Sequence, residues 1–291
     1  MKFTDSHCHL DFPEFAANLP ALIQQCAQAD IHQIIIPAIH PDNWQKVLDI
    51  AHIQSLKPCS VVPKAIPKVI PKVIPKTCKL FPCLGIHPWF LEGLNQTHLD
   101  QLALMVDQNK THLVAIGETG IDGAIVKQQQ LSNQQENLAK QLLFFDFQLT
   151  LAHAAQLPII VHHRQSHQHI LPLLKQHKLE QGGVIHAFSG SYQQAVNYLD
   201  LGFKLGVGGT ITYPRAKKTI NAIKRLPLES LVLETDAPSM PLANAQGKIN
   251  SPLNVIDVFT QLAQIRHEDK SRLAEQLALN INNLFKRCIS V

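Results

Sequence analysis

The chain has 291 residues, 45% of them hydrophobic and 16% charged, with a formal net charge of +4, which supplies a large core and excludes a disordered polyelectrolyte. No apolar run approaches the roughly 18 residues of a membrane span, and Met1-Lys2-Phe3 leads directly into Thr4-Asp5-Ser6 without the apolar stretch of a cleaved leader. The positive balance is local: residues 57 to 79 hold six lysines and no acid, and taking those six from +4 leaves −2 for the rest, which argues against a broad basic platform for polyanions.

In chain order, the apolar periodicity predicts a strand at 2–9, a helix at 19–29, a strand at 33–39 and a helix at 43–56 opened by Pro41-Asp42. Val62 to Lys76 then repeats with period four. Proline at every fourth position excludes a helix and an interior strand, so an extended, polyproline-like insert is expected. Its place between the second helix and the third strand puts this Pro/Lys insert on the N-terminal face of the fold, as a tolerated insertion.

Further strands are predicted at 80–86, 112–118, 158–162, 183–187, 203–207 and 230–235. Helices are expected between them near 97–110, 132–156, 167–178, 191–201 and 216–225, and an amphipathic tail covers 252–286. Eight strands alternating with helices predict an α/β fold, a (β/α)8 TIM barrel, as one domain over 1–291. Six cysteines without a Cys-x-x-Cys pair read as reduced thiols in a cytoplasmic protein.

The strand ends carry the chemistry. His7 and His9 are two apart, so on a strand both imidazoles face the same side while Cys8 turns into the core. Later apolar runs end in Glu118, His162, His186 and Asp236, and in a barrel of this type the C-terminal strand ends form one site. Four imidazoles and two carboxylates suit zinc, manganese or nickel better than an all-oxygen magnesium cage.

The ordered motifs Ser6-His7-Cys8-His9-Leu10-Asp11, Gly85-Ile86-His87-Pro88, Gly117-Glu118-Thr119-Gly120-Ile121-Asp122, Val161-His162-His163-Arg164, His186-Ala187-Phe188-Ser189-Gly190 and Glu234-Thr235-Asp236-Ala237-Pro238 resemble the TatD family of metal-dependent hydrolases. The stretches Gly206–Ala216 and Leu233–Pro241 look most like its YjjV-type branch. The resemblance spans essentially the whole chain apart from the Pro/Lys insert. It implies a barrel hydrolase of the amidohydrolase-like type with two divalent metal ions, magnesium being allowed by the family. His7, His9, Glu118 and Asp236 would hold one ion, and Glu118, His162 and His186 the other, with Glu118 bridging.

The implied activity is that of a deoxyribonuclease or phosphodiesterase on DNA, with Glu118 and Asp236 as the catalytic carboxylates and Asp236 orienting or accepting a proton from the attacking water. Hydrolysis of another ester or amide, such as deacylation of aminoacyl-tRNA, is the alternative on the same site. A catalytically silent binding scaffold is disfavoured by the complete ligand set. No membrane association and no obligate protein partner are expected.

Around the ligands, Arg164 is a candidate phosphate contact or a structural ion pair, and His87 a substrate contact or a rim residue. Arg215, with Lys217 and Lys218, forms a phosphate-facing rim or a solvated face. Glu234 is expected to hydrogen-bond to the site rather than to ligate. His163, where the family has a small residue, should point away from His162, and the segment after Asp122 containing Lys127 to Gln130 is longer than the family usually shows.

Overall fold

The computed structural model of the protein describes residues 1–52 and 76–286. The Pro/Lys insert predicted at 62–76 lies outside the described residues except for Lys76, whose ammonium pairs with Asp30.

Eight parallel strands follow one another in a single sheet: β1 (Phe3–Asp5), β2 (Ile31–Pro37), β3 (Lys79–Leu84), β4 (Ala115–Asp122), β5 (Ile159–Arg164), β6 (Gly183–Ile185), β7 (Phe203–Val207) and β8 (Leu231–Leu233). Runs such as Ile34-Ile35-Ile36 are apolar on both faces because both faces of a parallel barrel strand are buried. Ile35, Cys83, Ala115, Ile160, Val184 and Val232 fill the interior, while Ile34, Ile36, Ile159, Val161 and Ile185 pack against the surrounding helices.

Those helices are α1 (Pro13–Ala16), α2 (Leu19–Gln28), α3 (Trp44–His52), α4 (Gln96–Asn109), α5 (Gly123–Gln128), α6 (Leu131–Ala155), α7 (His167–His177), α8 (Tyr192–Leu199), α9 (Lys217–Arg225), α10 (Val255–Arg266) and α11 (Lys270–Leu284). Ile281 and Leu284 of α11, with Phe285, join the interior cluster. Asn280 Nδ2 donates to the carbonyls of Leu228 and Leu231, both at 2.7 Å, so α11 plugs the N-terminal end and leaves the other end open. Among the described residues no helix is long and apolar enough to cross a membrane.

The β8–β1 seam is stitched beyond the regular strands. Ser6 N–H donates to Leu233 O (2.9 Å), Asp236 N–H to His7 O (2.9 Å) and His9 N–H to Ala237 O (2.8 Å). Asp5, fully buried, accepts from the backbone N–H of Thr235 (3.0 Å) and of His7 (3.2 Å) and is hydrogen-bonded to the Thr235 hydroxyl. Burial pushes its carboxyl up to about 8.

Several strands are shifted or shorter than the sequence reading, β2 at Ile31–Pro37, β3 at Lys79–Leu84, β6 ending at Ile185 and β8 at Leu233, and two of the differences bear on the site. The first strand, expected through residue 9, ends at Asp5. His7 to His9 continue as extended chain bridging to Ala237, which preserves the alternation that puts both histidines on one side. The fourth strand, expected to end at Glu118, runs on to Asp122, because Gly117 and Gly120 act there as close-approach residues rather than breakers. A Cβ on Gly120, whose φ is +148°, would lie 2.1 Å from the carbonyl oxygen of His162 on β5.

Gly120→Ala must therefore push β4 from β5 next to Glu118. Overpacking and an unfavourable φ together predict a loss of about 3 kcal/mol, to be read as a lowered urea midpoint. An unchanged midpoint would contradict the close packing of these two strands.

Candidate metal centre

His7 and His9 arrive from the chain leaving β1, Glu118 from within β4, His162 from β5, and His186 and Asp236 from just beyond β6 and β8. All six open on the C-terminal end of the barrel, and five of them, with His87 and Arg164, line one cavity of about 430 Å³. His7 lies beneath it, fully buried.

The atoms face one another at ligand spacing. His7 Nε2 is 3.2 Å from His9 Nε2, 3.1 Å from Glu118 Oε2 and 3.6 Å from Asp236 Oδ1. His9 Nε2 is 3.5 Å from both of those oxygens. A cation with bonds near 2.1 Å to tetrahedral ligands places those ligands about 3.4 Å apart; His7, His9 and Asp236 offer atoms all within 4.8 Å of one another, and Glu118 Oε2 approaches both histidines at similar distances. The other oxygen, Glu118 Oε1, faces a second set: His162 Nδ1 at 3.0 Å, His87 Nε2 at 3.3 Å and His186 Nε2 at 3.9 Å. His186 Nε2 also lies 3.8 Å from Asp236 Oδ1.

For His9 and His162, hydrogen bonds on the far side of the ring decide which nitrogen is free for a cation. His9 Nδ1 is 3.2 Å from the Pro37 carbonyl, which can only accept, so Nδ1 carries the proton and Nε2 presents its lone pair. His186 Nδ1 faces Glu234 Oε1 at 3.2 Å. His162 Nε2 meets Asp122 Oδ2 at 3.0 Å, which frees Nδ1 on the Glu118 side.

His87 is the exception. Its Nδ1 accepts from Trp89 N–H at 3.1 Å, so in the neutral ring the proton sits on Nε2 and is aimed at Glu118 Oε1. Burial lowers His87 to about 4, which makes it a neutral donor to Glu118. It is 5% exposed, a buried place at the floor of the cavity rather than on its rim.

The electrostatics favour a cation. Burial raises the Glu118 carboxyl, but the imidazoles around it, His87 first, then His7 and His186, hold it well below the usual carboxylate range. Asp236 is lowered in the same way against its burial, by His186 and His9. Burial lowers His9 and His186 as well, yet Asp236 and Glu118, joined at His186 by Glu234, carry both up to about 10. His7 goes the other way, lowered by burial and by His186, whose ring stacks on it at 3.6 Å. Neighbouring imidazoles share protons, and a divalent ion supplies that positive charge without them. The donor set, its spacing and its tautomers fit divalent metal.

Among the other residues singled out in the sequence, Glu234 Oε1 accepts from Ala187 N–H at 2.6 Å and sits behind His186. Gly206 makes room for this side chain, since a Cβ there would lie 2.1 Å from Glu234 Oε2. Arg164 is half-exposed on the cavity wall, with Nη1 3.8 Å from Asp122 Oδ2. Arg215 lies outside this cavity, over the Tyr213 ring, in an adjoining one of about 220 Å³ that shares Thr210 and Met240 with the first. Cys8 is fully buried, its thiol 3.6 Å from Ala237 O. His163 turns toward His167 and Tyr198, ring centroids 6.1 and 5.4 Å away.

Two residues that sequence reasoning did not single out hold the site together: Asp5 at the seam and Asp122 behind His162. Asp122 ends the Gly-Glu-Thr-Gly-Ile-Asp motif, at even spacing from Glu118 and hence on the same strand face, which was the available signal. The segment that follows it is α5, capped by the Asp122 carboxylate through Ala124 and Ile125 N–H at 2.8 and 2.9 Å.

A (β/α)8 barrel whose open end gathers buried imidazoles and carboxylates around two oxygens of one glutamate defines the class of metal-dependent hydrolases. The particular family follows from comparison with known proteins. Residues 4–286 match the family model described as TatD related DNase, and the chain belongs to the TatD family. It is 39% identical over 284 residues to the uncharacterized metal-dependent hydrolase YjjV of Escherichia coli (strain K12), covering 98% of each chain. The crystal structure of that protein superimposes with a TM-score of 0.83, again over 98% of each chain. An uncharacterized metal-dependent hydrolase of Haemophilus influenzae is 38% identical over 92% of this chain and 93% of its own. The human deoxyribonuclease TATDN3 is 25% identical over 97% and 94% respectively.

The buried His163 carries a testable cost. Burial, with repulsion from His167 and His162, lowers it to about 4, whereas the unfolded chain protonates it near 6.5. Below pH 6.5 the unfolded state takes up a proton that the folded state refuses, so stability present at neutral pH is lost as pH falls toward 4, by up to about 3 kcal/mol. Urea unfolding at pH 7 and pH 4.5 should show a smaller pH loss in His163→Leu than in the wild type. Equal losses would show that His163 does not carry this term.

Proposed function

We propose that the protein is a two-metal phosphodiesterase acting on DNA. The observation that carries this reading is the division of Glu118: Oε2 faces His7 and His9 at 3.1 and 3.5 Å, and Oε1 faces His162 and His186 at 3.0 and 3.9 Å. One carboxylate shared in this way suits a bridging ligand. In the proposed assignment His7, His9, Glu118 and Asp236 hold one ion and Glu118, His162 and His186 the other. The ions, when bound, supply Lewis acidity, making water a nucleophile at neutral pH and neutralising charge on the phosphate oxygens.

The remaining work falls to the chain itself. Asp236 is kept ionised by the imidazoles around it and reaches into the cavity, so it can orient a water and accept its proton. His87, a neutral donor 3.3 Å from Glu118 Oε1, helps hold the orientation of that carboxylate. Arg164, on the wall with Nη1 not engaged at hydrogen-bond distance, is positioned to pair with a phosphate oxygen. Arg215 in the adjoining cavity can reach an anionic group further along the same substrate. A deoxyribonuclease among the relatives, human TATDN3, supports nucleic acid as the substrate.

Glu118→Ala removes the shared ligand and Asp236→Ala the proton acceptor. Each should reduce hydrolysis of labelled single-stranded DNA by at least about 10³-fold while the circular-dichroism spectrum is retained. Undiminished turnover in either variant would sink the two-metal assignment. Chelation should abolish turnover and added Zn²⁺ or Mn²⁺ restore it, with single-stranded DNA, duplex DNA, RNA and a simple phosphodiester compared side by side. A metal-loaded protein that cleaves none of these but hydrolyses a carboxylic ester would overturn the substrate class.

A further inference from the structure

Trp89 stands at the cavity mouth with 47% of its surface exposed, an unusual place for the largest side chain. It is also the residue that touches both supports of the Glu118 Oε1 set. Its backbone N–H donates to His87 Nδ1 at 3.1 Å and so fixes the His87 tautomer. Its indole Nε1–H donates to Asp122 Oδ2 at 2.7 Å, the same oxygen that meets His162 Nε2 at 3.0 Å. The other Asp122 oxygen is tied down by the first N–H groups of α5, so the carboxylate has one setting and the indole defines part of it. The ring planes of Trp89 and His162 are nearly perpendicular, 5.8 Å apart.

Two separable demands therefore fall on one side chain. The N–H is needed by Asp122, and phenylalanine would lack it. The exposed face needs nothing inside the protein, and it is turned to the cavity that also holds Arg164 and Phe90, itself 38% exposed. An aromatic face beside a cation is the pattern that accepts a planar ring next to a phosphate.

We propose that Trp89 is a docking and positioning residue: its exposed indole face takes a planar ring of the substrate, a nucleobase, while its N–H holds Asp122 and through it His162. The proposal rests on the reading of His162 as a metal ligand, and the nucleobase on the phosphodiesterase reading. Substrate contact at the mouth is thereby connected to the half of the centre fed by Glu118 Oε1, and the quartet around Oε2 is left untouched.

The positioning half is tested by calorimetric titration of the metal-stripped full-length protein with Zn²⁺, which reads ion binding without activity. Trp89→Phe should weaken one of two ions about tenfold and leave the other unchanged, since partners behind a ligand histidine commonly set affinity on that scale. Asp122→Asn should weaken the same ion at least as much, and the double variant should be no worse than Asp122→Asn alone. Equal affinity of both ions in Trp89→Phe and wild type overturns the positioning role, as does equal weakening of both ions, which would indicate general loosening. A wild type that takes up a single ion overturns the metal assignment and this role with it.

The docking half is read on the Zn²⁺-loaded protein by comparing adenosine 5′-monophosphate with ribose 5-phosphate. Wild type and Trp89→Phe should bind the nucleotide about tenfold more tightly, and Trp89→Leu should bind the two alike. No preference in the wild type, or a preference that survives in Trp89→Leu, overturns the docking role. Loss of DNA cleavage with both binding results intact would refute the nuclease reading alone.

Discussion

Closure of the barrel along the β8–β1 seam is the constraint on which the rest of the structure depends. His7 and His9 lie more than 220 residues from Asp236 in the chain, and only the seam makes them neighbours. The hydrogen bonds from Asp236 N–H to His7 O and from His9 N–H to Ala237 O hold these two segments in register after both strands have ended. Asp5 completes the join from below through Thr235 and the His7 amide. A buried carboxyl is costly unless its oxygens are bonded, and here each oxygen is.

The centre itself is a poor source of stability. Glu118 is taken out of water and Asp236 largely so among imidazoles, and the desolvation of buried ionic groups commonly offsets their mutual attraction. The hydrophobic clusters inside the barrel and between barrel and helices provide the compensation. The outer contacts, the hydrogen bonds of His9 to Pro37 and His162 to Asp122 and the ion pair of His186 with Glu234, do not enlarge the core. Their effect is to fix which imidazole nitrogen faces inward, so the arrangement is organised toward binding rather than toward folding.

Much of the site and nearly all of the fold were legible without coordinates. Strands buried on both faces read as continuous β-branched runs, and helices such as α4, α6 and α7 fell within a residue or two of their predicted spans. The exceptions share a cause. Gly117 and Gly120 looked like the end of a strand, but glycine also permits close backbone approach, and which role applies depends on the neighbouring strand. His87 read as a residue at the mouth because its motif ends a strand, whereas its tautomer and its partner Glu118 come from contacts across the barrel.

The sequence by itself determined the eight-fold alternation and the placement of the imidazoles and carboxylates near the ends of apolar runs, because periodicity and side-chain chemistry are local properties of the chain. Membership of the TatD family was equally visible in its ordered motifs and was borne out by the comparisons. Only the tertiary structure decided that the two oxygens of Glu118 look toward different histidines, that Asp122 stands behind His162 and Asp5 beneath His7, and that Arg215 belongs to a neighbouring cavity. Those are distances and directions between residues tens to hundreds apart in the chain, and they are set by closure of the barrel and by the hydrogen bonds that orient each ring.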